Sequence, residues 1–224
     1  MSGVDLRGVD LRGVDFSGAN LRDLVIGDET QMDEPWRTVW ELVNRGAQDR
    51  DLAGVDLRGV DLRGVDFTGA NLRGLAIDDE TQLDSPWRTV WELVNHGAQG
   101  RDLSGVDLRG VDLRGVDLAG ANLRGLAIDD ETQLNQPWRT VWEIVNQGAQ
   151  GRDLSGVDLR GVDLRGVDLV GANLRGLAID DSTQIDSPWR TVWEIVNRGA
   201  QGRDLAGVDL RGVDLRDVDF SGAN

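Results

Sequence analysis

Carboxylates dominate the reactive side chains: 40 Asp and Glu stand against 24 Arg and one His, with no Lys, Cys or Tyr in 224 residues. The densest set is Asp78-Asp79-Glu80, which recurs as Asp28-Glu29, Asp129-Asp130-Glu131 and Asp180-Asp181. Oxygen ligands at that density suit Ca²⁺, yet the spacing lacks the alternation and the Gly of an EF-hand loop. The set reads as a solvated turn, and no metal site is assigned. Acid–base catalysis by paired carboxylates needs a cleft and shifted pKa values, whereas these aspartates alternate with arginines along regular blocks that should face solvent. Without Cys or Lys, thiolate and Schiff-base chemistry are excluded. His96 corresponds to Arg45, Gln147 and Arg198 in the other copies of its segment, so no nucleophile–base–acid set can be assembled. Tryptophan pairs such as Trp87 and Trp91 have faces fit for a sugar or a base, but four apart on a short helix they read as core. No catalytic, cofactor-binding or metal residue is assigned, no cofactor is expected, and the chain reads as a non-enzyme.

The net charge of −16 repels nucleic acid and anionic lipid. The expected partner is a protein or a second copy of the chain, with no nucleic acid and no membrane. No apolar leader and no run of 18 apolar residues is present, which gives a cytoplasmic expectation.

The elements that must position these residues come from one unit written four times. Trp-Arg-Thr-Val-Trp-Glu begins at 36, 87, 138 and 189, a spacing of 51 residues without insertion. The chain reads as a single repeat domain over 1–224, with full units at 51–101, 102–152 and 153–203 and partial ones at either end. Each unit has two halves. In the first, a large apolar residue returns every fifth position: Leu52, Leu57, Leu62, Phe67, Leu72, Ile77. Five is neither the strand period nor the helix period. Within Val60-Asp61-Leu62-Arg63-Gly64, Val60 and Leu62 point one way and Asp61 and Arg63 the other, and Gly64 suits a sharp corner. Each pentad is one short side and one turn, and four sides close a coil. The interleaved Asp and Arg rows are expected to relieve repulsion between stacked coils.

The [A/V]-[D/N]-[L/F]-x-x repeat, as in "VDLRGVDFTGANLRGL", closely resembles the bacterial pentapeptide-repeat proteins over about 30 residues of every 51. The resemblance implies a right-handed, four-sided parallel β-helix. The other half, "TQLDSPWRTVWELVNHGAQGRDL", looks like a helical segment found between pentapeptide blocks in some of these proteins, particularly from photosynthetic bacteria. One departure is that the first pentad position, usually Ala in the family, is mostly Val here, which puts extra methyls into the column.

The helical half begins at Pro86, suited to a first turn, after an Asx N-cap at Asp33, Asp84, Asn135 or Asp186, and ends at Gly97 or its equivalents. A helix this short must dock. Trp87, Val90, Trp91 and Val94 make its docking stripe, with Leu93 to one side, touching the next helix. Six pentads plus a helix standing in for two sides give eight sides, or two coils, per unit. The helices then recur at about 9.6 Å, a packing distance. The fold class expected is therefore a β-solenoid with helical inserts, one short α-helix per two coils, stacked along one flank as an open rod. A closed ring of four units is the competing architecture. The core is expected at Leu57, Leu62, Phe67, Leu72, Ile77, Trp87, Val90, Trp91 and Val94.

The near-perfect copies and bare ends read as an excised or engineered array. The functional expectation is a structural scaffold for protein–protein interaction. The resemblance implies one alternative, an acidic mimic of DNA that binds a type II topoisomerase. Unpaired strand edges suggest another, end-to-end self-assembly.

Overall fold

The alternation Val60-Asp61-Leu62 is too short to make a long strand, and the sides that pair do so through single isolated bridges. In the computed structural model, which describes residues 3–224, these bridges are parallel and join residues 20 or 21 apart, as in Asp51↔Asn71, Asp56↔Ala76 and Asp61↔Gln82. A partner four pentads on means four sides per turn. Most corners are glycines with left-handed φ, such as Gly64 at 74°, a conformation that costs a side-chain-bearing residue more; Asp23, Asp49 and Asp217 adopt it as well. Val60 and Leu62 point inward and are buried.

The chain falls into two compact units that interleave in sequence. One takes the chain up to Gly97 with Asp107–Val116 and Ile128–Gln133; the other comprises Ala98–Val106, Asp117–Ala127 and Leu134–Asn224. The first carries α1 (Glu34–Arg45) and α2 (Ser85–His96), the second α3 (Gln136–Gln147) and α4 (Ser187–Arg198). Each helix has a proline in its first turn and closes on a glycine; Gly97 N–H donates to Leu93 O at 3.0 Å. The Asx residue before each helix does not cap it by its side chain. Asp84 Oδ2 instead accepts the Gly64 corner N–H at 2.8 Å, and Asp33 Oδ2 that of Gly13. The corner donor, held close by the winding, outcompetes the helix's own N–H groups.

The winding in the first unit corrects the expectation of eight sides and one helical flank. Two sides lie outside the six pentads: Gln82 pairs with Asp61 just before α2, and Ala47 N–H donates to Asp66 O just after α1. Eight sides plus the two a helix replaces make ten, or two and a half turns. The flanks follow from what each helix covers. α1 stands on the sides of Phe16 and Leu21, and the Leu21 side shares its flank with Leu62, where Arg22 Nη2 donates to Arg63 O. α2 stands on the sides of Phe67 and Leu72, the two flanks that follow Leu62. Gly69 N–H meets Gly110 O at 3.0 Å on the Phe67 flank, so the copy of Leu57 lies against Phe67 rather than against Leu57. α1 and α2 thus occupy opposite corners of the coil and do not stack.

Candidate functional site

Three arrangements recur: an Asp–Arg fork on the pentads, an anchor that seats each helix, and a cleft where helix and fork meet.

The fork is local. Asp56 accepts Arg58 N–H at 3.1 Å, Arg58 Nε at 2.9 Å and Arg58 Nη2 at 2.5 Å. Two residues apart on an outward-facing segment, the guanidinium closes back on its own pentad. The same geometry holds at Asp61–Arg63, Asp107–Arg109 and Asp158–Arg160. The close, two-pronged pairing is therefore within a pentad; between coils the arginines act more weakly, as where Arg22 helps Arg63 to lower the Asp61 carboxyl and where Arg175 lies 4.0 Å from Asp217. Hydrogen bonding by the Arg58 side chain, then by its backbone N–H, holds the Asp56 carboxyl down to about 2. Asp10, Asp107, Asp158 and Asp209 are lowered to about 2 by their own arginines in the same way.

The anchor explains how a polar helix end can sit on a coil. Trp91 Nε1 donates to Leu75 O at 2.7 Å, Asn95 Nδ2 to Leu72 O at 3.0 Å, and Asn95 Oδ1 accepts Gly74 N–H at 2.6 Å. These backbone groups would otherwise serve the next coil, so α2 stands in for the two sides above Phe67 and Leu72. Trp40, Trp142 and Trp193 donate in the same way to Leu24, Leu126 and Leu177. Asn95 and its equivalents escaped the sequence reading because an Asn in the last turn of a helix carries no periodic signal.

The acidic turn is structural. Asp78 Oδ1 accepts the backbone N–H groups of Gly59, Glu80 and Thr81 at 3.0, 3.1 and 2.9 Å, and these bonds, led by Gly59, lower its pKa. The buried Thr81 hydroxyl lies 3.1 Å from Leu57 O and 2.8 Å from Asp78 Oδ1. Among the described residues no three metal-ligating side chains converge.

Of the nine residues assigned to the core, Leu57, Leu62, Phe67, Leu72 and Val90 are buried, while Ile77, Trp87, Trp91 and Val94 are half-buried. Leu93, placed beside the stripe by its sequence position, is 0% exposed. It turns inward because the helix stands on the hydrogen-bonding edge of a coil. His96 is exposed, its ring 5.0 Å from that of Trp91, and Arg45 takes the equivalent place 5.0 Å over Trp40.

The cleft forms where the start of a helix faces a fork. At α2, Pro86 and Trp87 line a cleft of about 460 Å³ together with Thr68, Asp107, Arg109, Asp129 and Glu131. At α1, Pro35 and Trp36 face Asp56, Arg58 and Asp78 around about 330 Å³. In the second unit, Pro137 and Trp138 of α3 face Asp158, Arg160 and Asp180. Trp87 also meets Phe67 edge to face at 5.7 Å. No helix among the described residues is long and apolar enough to cross a membrane.

A family model described as pentapeptide repeats matches residues 1–24, 49–76, 99–126, 150–177 and 201–224, with eight copies and more than half of the chain covered. No curated protein matches the chain.

Proposed function

The chain belongs to the pentapeptide-repeat family, and on that premise we propose that it is a non-enzymatic repeat scaffold, a β-solenoid with inserted helices that presents its flanks to a protein partner. The observation that carries this reading is how the reactive groups are used. The fork arginines are engaged by their own aspartates, and the Asp78-type carboxylates hold backbone turns. What remains is a regular surface, suited to binding by repetition. The test is proximity labelling with the intact chain, then reconstitution of each candidate from purified components by sedimentation velocity. A stoichiometric complex at micromolar concentration is expected. If no labelled protein reconstitutes, the scaffold reading fails.

The net charge of −16 favours a second reading, an acidic surface that competes with DNA for a type II topoisomerase. Two features weigh against it: helices on opposite corners of the first unit interrupt a duplex-like outline, and the forks neutralise part of the acidic surface. Inhibition of gyrase supercoiling by micromolar chain would establish this reading, and its absence would remove it.

A further inference from the structure

The two tryptophans of each helix are used differently. Trp91 and its equivalents donate their indole N–H to a coil carbonyl. Trp36, Trp87 and Trp138 make no such bond among the described residues and stay half-buried at the wall of a cleft. The opposite wall is acidic. Its one cation, Arg58 or Arg109 or Arg160, is held on both oxygens of its own aspartate. Beside that fork the α2 cleft carries the exposed Glu131, and Asp129, which accepts the backbone N–H groups of Gly110, Glu131 and Thr132. The α1 cleft carries Asp78 and the α3 cleft Asp180, each held by backbone N–H groups in the same way. An aromatic wall facing a net negative one is the complement of a cation, which is drawn to the ring face and to the carboxylate together. Asp78 is pinned by three backbone N–H groups, so its charge is in place before anything binds. The chain itself contains no lysine, and its charge of −16 raises the encounter rate with a basic partner.

We propose that the clefts at α1, α2 and α3 are docking sites for the basic side chains, arginine or lysine, of an extended segment of a partner protein. The inference rests on the scaffold reading and names the chemistry of its partner. The α2 cleft, where the exposed Glu131 adds a carboxylate, is the strongest, and those at α1 and α3, whose linings lack its counterpart, are weaker. Because α1 and α2 stand on opposite corners of the first unit, their clefts face apart. One short segment engages one of them, and the chain binds more than one segment.

The test is a ¹H–¹⁵N titration of the full chain with the peptide acetyl-Gly-Arg-Gly-Arg-Gly-amide at physiological salt, set against the same peptide with citrulline for arginine. The indole signal of Trp87 is expected to shift at the lowest concentration, followed by Trp36 and Trp138. Trp40, Trp91 and Trp142 should hold still, and the citrulline peptide should shift none. Glu131→Gln, a change at an exposed side chain, should weaken the Trp87 response several-fold while leaving the thermal melt and the Trp36 response as they were. Equal shifts of all the indoles, no shifts, or the same shifts with citrulline would overturn the proposal. A reconstituted partner that binds the Glu131→Gln chain and a Trp36→Phe/Trp87→Phe/Trp138→Phe chain as tightly as the parent would also overturn it, and would leave the scaffold reading standing.

Discussion

Leu57 shows what a single side chain does in this winding. It is 0% exposed, its carbonyl receives the Thr81 hydroxyl at 3.1 Å, and its N–H donates to Ala76 O at 2.8 Å. Leu57→Ala leaves a hole that rigid backbone on four sides cannot close, and a loss of about 2–5 kcal/mol in chemical denaturation is expected. The forks set a different dependence. Asp10, Asp56, Asp107, Asp158 and Asp209 titrate near 2 in the folded chain, from a starting value of 3.8. A depressed folded pKa means that the folded state holds fewer protons than the unfolded state, so the stabilisation is complete above about 4 and falls as pH drops through about 2. Melting temperatures followed by circular dichroism from pH 7 to pH 2 should be level down to about pH 4 and decline below it. A decline that begins near pH 6 would show that other groups govern acid sensitivity.

At the scale of elements, the helix is held by side chains that imitate a coil. Trp91→Phe keeps most of the packing and removes the donor to Leu75 O, and leaving that carbonyl unpaired should cost about 1–3 kcal/mol. Trp87→Phe removes no hydrogen bond and should cost less, a contrast that paired denaturation curves would resolve. The elements differ in how far they can be read from sequence. The side Val60-Asp61-Leu62 and its Gly64 corner are legible because alternation and a positive-φ glycine are local properties, and Pro86 and Gly97 bracket α2 for the same reason. The sides at Gln82 and Ala47 are not legible, since "TQL" and "GAQ" lack the pentad pattern and become sides only through bonds to Asp61 and Asp66. Asp84 follows the same logic. Its place before a helix suggests a cap, but a corner N–H from twenty residues earlier takes its carboxylate. The cleft was hidden likewise, because it joins Trp87 to Asp107 and Arg109, which stand in the following copy of the repeat.

For the molecule as a whole, near-identity of the copies makes each 51-residue segment interchangeable with the next. Deleting residues 51–101 joins Arg50 to Asp102 and reproduces the Arg101-Asp102 junction. Repeat arrays owe their stability to local terms and nearest-neighbour contacts. The shortened chain should therefore fold, with the same far-ultraviolet ellipticity per residue and a lower melting temperature. Loss of folded structure would show that stability depends on contacts beyond neighbouring copies.

The half turn between α1 and α2 also gives copy number a direction. The copy that carries α2 does not lengthen the face that carries α1; it opens a second one. A partner gripping the α1 face of this unit is blind to the residues that vary on α2. Duplication from one copy to two is then a change of address rather than of length, and the difference between Ser17 and Thr68 at equivalent positions is sorted onto separate faces.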